Sequence, residues 1–215
     1  MFLIAPSCDI LKKALIANVL AAICNENKMQ SIILDLSIAA TEAFWSVYKD
    51  GVKYVEDIIP VLSGISSKTL KKYLSPMEES LVLGLKESSF DDMNFEKISY
   101  LIDVLEENYK YVFVIVPNEN KDNTFNLVKK AKICLLPYLS DSLSARNALI
   151  LADLYLSKCG SEAEIIPLRL DLGYDFHSEQ ILKKHSVFAK QFTAIFNPKV
   201  QEKVMYPENV YKDNS

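Results

Sequence analysis

Two adjacent lysines, Lys12 and Lys13, follow the acidic Asp9 at the head of a segment with helical spacing. Lysines at such a place could hold an anion such as a nucleotide's phosphates, because the first turn of a helix offers unpaired N–H groups and the positive end of its dipole. Two lysines in a first turn are also the ordinary solvated face of an amphipathic helix, and that is the reading adopted for them. Asp35 closes an apolar run, where its carboxylate could order a water or cap the next segment. His177 and His185 are the only histidines; although Asp175 and Glu179 flank the first, neither has a partner at ligand or triad spacing, so both are assigned to the surface. Ser140, Asp141, Ser142 and Ser144 gather hydroxyls with no histidine near, and are read as a helix cap rather than a nucleophile. Cys8, Cys24, Cys134 and Cys159 form no CxxC pair and are expected to be reduced. Phe44, Trp45, Tyr48 and Tyr54 make an aromatic group that is read as core, with a partner-binding surface as the alternative.

The elements that must position these residues follow from periodicity. Seven short runs are continuously apolar, namely Phe2 to Ala5, Ser31 to Leu36, Ser80 to Leu85, Tyr111 to Val116, Ile133 to Leu136, Glu164 to Leu168 and Phe192 to Phe196. Continuous apolarity predicts strands covered on both faces, hence a largely parallel sheet. Between the first two, Leu11, Leu15, Ile16, Val19, Leu20 and Ile23 predict one face of a helix capped by Asp9 and ending near Asn25. Phe95, Ile98, Leu101, Ile102 and Leu105 predict a second helix. A third starts near Ser140 or Asp141, runs to about Lys158 and is closed by Gly160. The stretch from Ala39 to Ser75 is assigned helices and loops, and the polar tail from Tyr206 to Ser215 is expected to fray. Repeated strand–helix units predict an α/β fold with a doubly wound, mostly parallel sheet and helices on both faces, as one domain over residues 1–205.

Bulk properties narrow the function. The 215 residues suit one well-buried core, and the formal net charge of −4, with 24 basic and 28 acidic residues interspersed, supplies no broad positive field for a nucleic-acid backbone. Nucleic-acid binding is not expected. Phe2 to Ala5 is too short for a secretory signal or membrane anchor, so no transmembrane segment and a cytoplasmic location are expected.

Residue by residue, APSCDILKKALIANVLAAIC resembles the first strand, P-loop and helix of the MinD/ParA family of SIMIBI-class P-loop ATPases, whose pattern is KGGVGKTTLALNLA. In that resemblance Ser7 falls on the family's first lysine, Cys8 and Asp9 on the two glycines, Leu11 on the third glycine, Lys12 on the phosphate-binding lysine and Lys13 on the magnesium-binding hydroxyl. SIILDLSIA resembles the second strand, with Asp35 kept as its first acid and Ser37 where a water-positioning Asp would stand. NYKYVFVIVPNEN looks like YDYVIIDTPP, with Ile115 in place of the acid that helps hold magnesium and Pro117 kept. AKICLLPYLSDSLSARNALILADLY is the most specific local match, and is most similar to the tight-adherence pilus localisation (TadZ/CpaE-type) group. In that group a receiver-like domain often precedes the ATPase strand, whereas this sequence opens on that strand. EIIPLRLDL resembles the strand with the adenine-contacting NR pair, with Leu168 replacing Asn and Arg169 kept.

The resemblance implies a degenerate site. Glycines let a P-loop turn successive N–H groups onto a phosphate, and holding Cys8 or Leu11 left-handed instead would cost about 1–2 kcal/mol each. Asp9 would repel a phosphate and fill the anion site from within. Magnesium prefers hard oxygen ligands, and Lys13 and Ile115 replace them. Neither hydrolysis of ATP by the usual route nor a magnesium site is therefore expected. The implied role is a pseudo-ATPase serving protein localisation or assembly, in a tight-adherence pilus or secretion system, as a homodimer or in a hetero-complex with a related ATPase. The alternatives are an ATPase rewired through Lys12, Lys13 and Asp35, and a non-catalytic subunit whose paralogue keeps the intact P-loop.

Overall fold

A computed structural model describes residues 1–8, 10–37, 54–77, 80–86, 90–117, 122–139, 141–160, 163–171 and 192–195. The strands are β1 (Phe2–Ile4), β2 (Ser31–Asp35), β3 (Ser75–Met77), β4 (Ser80–Gly84), β5 (Tyr111–Ile115), β6 (Ile133–Leu139), β7 (Glu164–Asp171) and β8 (Phe192–Ile195). The helices are α1 (Ile10–Glu26), α2 (Val55–Ile58), α3 (Ser67–Leu70), α4 (Phe95–Asn108), α5 (Asp122–Lys130) and α6 (Ser142–Cys159), with 3-10 turns at Ile59–Gly64, Lys71–Tyr73 and Phe90–Asp92.

The strands form one sheet in the order β3-β4-β2-β5-β1-β6-β7-β8. Every neighbouring pair is parallel except β3 with β4. Alternation along each strand explains why the strand sequences read as unbroken apolar runs. Leu3, Ile32, Leu34, Val112, Val114, Cys134 and Leu136 belong to one core cluster, and Ile4, Ile33, Phe113, Ile115 and Leu135 belong to the other. Successive side chains point to opposite faces, so a strand buried on both sides can spare no polar position. The first cluster takes its helical residues from the segment Val55 to Leu70 and from α4, α5 and α6; the second takes them from α1.

Caps set the helix ends. Asn94 Oδ1 accepts the Lys97 N–H at 3.2 Å at the start of α4, and Asp141 Oδ1 accepts the Ser144 N–H at 2.8 Å at the start of α6. Of the hydroxyl-rich cluster, Asp141, Ser142 and Ser144 thus form a capped helix start, and Ser140 lies outside the described residues. Gly160 ends α6 with φ of 75°, a backbone that glycine adopts without steric cost.

Four sequence expectations need correction. The stretch assigned to helices and loops up to Ser75 ends in β3, which holds Pro76; a proline reads as a strand breaker, yet an edge strand tolerates it. Helix α5 was not anticipated, because only Thr124, Leu127 and Val128 of its nine residues are buried. β6 and β7 extend beyond their apolar runs, since Pro137, Tyr138 and Leu139 pair in register with Leu168, Arg169 and Leu170. The buried face of α1 includes Leu15 and Ile16, as spacing predicts, but it continues through Ala14, Ala17, Ala21 and Cys24, while Ile23, placed on that face by spacing, is 48% exposed. Small residues let α1 approach the sheet closely, and the larger Val19 and Leu20 are left half-buried.

Replacing Ile33, fully buried between α1 and the sheet, by Ala should cost about 2–5 kcal/mol, whereas Asp141→Ala, which removes only a cap, should cost about 1 kcal/mol. Urea-unfolding midpoints of the two variants against the unaltered protein check that order.

Candidate functional site

The carboxyl ends of β1, β2 and β5 meet where the strand order reverses. From β1 the chain moves outward to β2 and β4, returns to β5 beside β1, and then proceeds to the other side through β6. In open parallel sheets the ligand crevice lies at such a switch point. Register places Ile4 and Asp35 on either side of Ile115, with Gly84 beyond Asp35. Leu36 N–H donates to the Ile115 carbonyl at 2.9 Å, so the turn after β2 stays tied to the end of β5.

The turn after β1 is short. Ser7 N–H donates to the Ala5 carbonyl at 2.8 Å, and Ser7 Oγ donates to the Pro137 carbonyl of β6. By Ile10 the chain is already helical, so Leu11 has a helical backbone. Among the described residues the only non-glycine with positive φ is Lys28, and Cys8 has no left-handed backbone. The described part of this turn therefore contains no left-handed residue of the kind that builds a phosphate nest. Cys8 is half-buried, and Asp9, assigned as cap and anion mimic, lies outside the described residues.

Lys13 overturns the solvated reading of the lysine pair. Its side chain is 0% exposed, and its ammonium donates to the Val116 carbonyl, one residue beyond β5. Lys12 is half-buried. Lys13 lies one helical turn before Ala17 and two before Ala21, on the face that packs against the sheet. A lysine stem can run along apolar surface while its head seeks a polar partner, and here the nearest polar groups are at the sheet's end. That spacing from the alanines was the signal available in the sequence.

Asp35 is buried as completely, at 0% exposure. Its Oδ1 accepts the Ser37 N–H at 3.0 Å and the Ser37 hydroxyl at 2.6 Å, while its Oδ2 is buried with no hydrogen-bond partner. Burial pushes its carboxyl up to about 6; the two hydrogen bonds from Ser37 and the charge of Lys13 oppose that shift without cancelling it. Ile115 is also 0% exposed and packs in the cluster that contains α1, and Pro117 follows, half-buried. Asp35 is thus the one carboxylate described at this point of the sheet, and its neighbours are an alkyl side chain and an ammonium.

A magnesium ion, which the sequence resemblance implies for an intact site, does not fit these residues. It would need hard oxygen ligands, but Ile115 supplies none and the Lys13 ammonium would repel it. Among the described residues, no group of three or more His, Cys, Asp and Glu could hold a metal. Leu168 and Arg169 lie within β7, paired with Pro137 and Tyr138. The segment Pro137 to Asn147 forms the end of β6 and the start of α6, with Leu143 68% exposed. All four cysteines are free, and burial raises the Cys134 thiol well above its usual range. His177, His185, Phe44, Trp45, Tyr48 and the tail from Tyr206 fall outside the described residues. Tyr54 is half-buried beside α2, with the Lys86 ammonium 6.0 Å from its ring centre.

The fold is that of MinD/ParA-type P-loop NTPases. The chain is similar to a ParA-family ATPase from Chlorobium tepidum, with 13% identity, a TM-score of 0.74, and 99% of this chain and 90% of that one covered. It is also similar to the septum site-determining protein MinD of Pyrococcus horikoshii, solved with Mg-ADP, at 14% identity, a TM-score of 0.71, and coverage of 100% and 89%. A plasmid partition protein from Borrelia burgdorferi matches at 14% identity and a TM-score of 0.63, with 98% and 97% covered. No family model and no curated protein matches the chain. At these identities the likeness defines the fold. Among the described residues, no helix is long and apolar enough to cross a membrane.

Asp35 gives a signed pH dependence. Because its folded pKa, about 6, lies above its ordinary value of 3.8, its contribution to stability is fully present below about pH 4 and is lost as pH rises through 6. The loss amounts to about 3 kcal/mol at neutral pH. Asp35→Asn keeps an acceptor for Ser37 but cannot titrate. Urea unfolding from pH 4 to pH 7 should therefore show a steeper fall for the unaltered protein than for the Asn variant, and parallel curves would refute the assignment.

Proposed function

We propose that this chain is a MinD/ParA-like domain that does not carry out standard ATPase chemistry and acts as a localisation or assembly scaffold through protein contacts. The observation that carries this reading is the buried Lys13 ammonium on the Val116 carbonyl, beside Ile115, where the fold's nucleotide chemistry would need a hydroxyl and an acid. Phosphoryl transfer is mostly positioning and charge neutralisation, so a site with an alkyl group and a fixed cation at those points has lost its means of placing magnesium and water. The domain spans residues 1–205, ATP is not hydrolysed, and no magnesium is bound.

Proteins of the same fold support a role in localisation. One structural neighbour is MinD from Aquifex aeolicus in its complex with MinC, at 15% identity and a TM-score of 0.66, with 99% and 87% covered. By the same reading this chain works in the cytoplasm as a homodimer or beside an intact relative, recruited to the membrane by partners. The finer setting is a tight-adherence pilus or related secretion system, which rests on the likeness of Ala131 to Tyr155 to that group. The rewired-ATPase reading asks Lys12 and Lys13 to serve phosphates and Asp35 to serve water, and the hydrogen bond of Lys13 to Val116 argues against the part given to Lys13.

Calorimetric titration with ATP and magnesium should give no heat, and a phosphate-release assay no turnover. Micromolar affinity or measurable hydrolysis would sink the proposal. The hetero-complex version predicts that affinity purification recovers a paralogue carrying GKT[ST]; a homodimer of this chain alone would count against it.

A further inference from the structure

We infer that Lys13 is the resident cation of this degenerate centre: its ammonium, fixed by the Val116 carbonyl, supplies Asp35 with the positive charge that a bound metal would otherwise bring. The inference rests on the proposed loss of ATPase chemistry and goes further, since a site can lose catalysis without replacing its cation.

Three observations carry it. First, both side chains are 0% exposed, so each charge is removed from water and needs a partner in the protein. Second, the backbone brings them to one place. Asp35 is the register partner of Ile115, Leu36 N–H binds the Ile115 carbonyl, and the next carbonyl along, that of Val116, holds the Lys13 ammonium. Third, the inventory of hydrogen bonds leaves a gap of the right sign. Oδ1 of Asp35 is used twice by Ser37, whereas Oδ2 is buried with no hydrogen-bond partner. An unpaired carboxylate oxygen in the interior is costly unless positive charge lies close by.

The physical consequence is a centre that needs nothing from solution. In a nucleotide switch a metal–phosphate pair enters and leaves, and the surrounding loops change with it. A lysine tethered to α1 cannot leave, so α1, the turn after β2 and the end of β5 are held together in every state of the chain. Binding of a partner at the rim of this centre is then independent of nucleotide. A divalent cation is excluded because it would stand next to an ammonium in a medium of low dielectric.

A double-mutant cycle between Lys13→Met and Asp35→Asn at neutral pH tests the pairing. Each single variant removes one charge of the pair and leaves the other buried, whereas the double variant removes both. The expected coupling is about tenfold in the folded-to-unfolded ratio, read from urea unfolding. If Lys13→Met alone fails to fold, the double variant should recover a cooperative unfolding transition, which a merely space-filling lysine would not give. Coupling below twofold, or no recovery, overturns the inference. Magnesium chloride alone forms the second arm: the unaltered protein's melting temperature should not move, and a concentration-dependent rise would overturn the inference by showing that the cation position is open. The two readings fail separately. Tight binding of ATP with coupling intact refutes only the proposed function, and absent coupling without ATP binding refutes only the resident cation.

Discussion

A lysine ammonium sealed at the end of a parallel sheet constrains everything around it. Lys13 can lie there because Val116 offers a carbonyl at the point where β5 leaves the sheet, and because Ala14, Ala17 and Ala21 let α1 lie close to β2 and β5. Burying a charge without such a partner would cost several kcal/mol, a large fraction of the stability of a typical domain. The hydrogen bond therefore fixes how far α1 slides along the sheet and which way it turns. Asp35, Ile115 and the turn through Ser7 are then arranged around a helix whose place is set.

The scaffold and the chemistry have separate physical origins. The sheet depends on alternation, with Ile33 and Phe113 facing α1 and Leu34 and Val114 facing the opposite layer. That pattern brings the ends of β1, β2 and β5 together whatever side chains stand there. In a nucleotide-binding member of the fold such a convergence gathers phosphate and metal ligands. In this chain it gathers an alkyl side chain, an ammonium and a half-satisfied carboxylate. The loop after β1 is secured differently too, through Ser7 on the Pro137 carbonyl, which uses β6 as its anchor. A fold can thus keep its strand order while the groups at its switch point bond to neighbouring side chains and carbonyls.

Much of the architecture was legible because it rests on local pattern. The seven apolar runs correspond to seven strands, and Asp141 and Gly160 mark helix ends by their own side-chain or backbone preferences. The misses within the sheet share one cause, which is stabilisation by remote partners. β3 exists because β4 offers it an edge in spite of Pro76, and the ends of β6 and β7 exist because they pair with each other. Within the site, the type and place of Asp35 and Ile115 were readable, but the state of Asp35 was not. Its raised pKa depends on complete burial, which the sequence does not encode at any one residue.

Sequence alone determined the layered α/β organisation, a likeness to one family of folds and which residue types stand at the strand ends. It did so because periodicity and residue type are local properties that survive without knowledge of contacts. Tertiary structure decided the meaning of Lys13. Adjacent lysines in a first turn are equivalent in sequence, and only the packing of α1 on the sheet buries Lys13 against Val116 while Lys12 stays half-buried. A charge is a ligand-binding group, a surface group or an internal counter-ion according to what surrounds it, and the carbonyl that holds Lys13 lies 103 positions away.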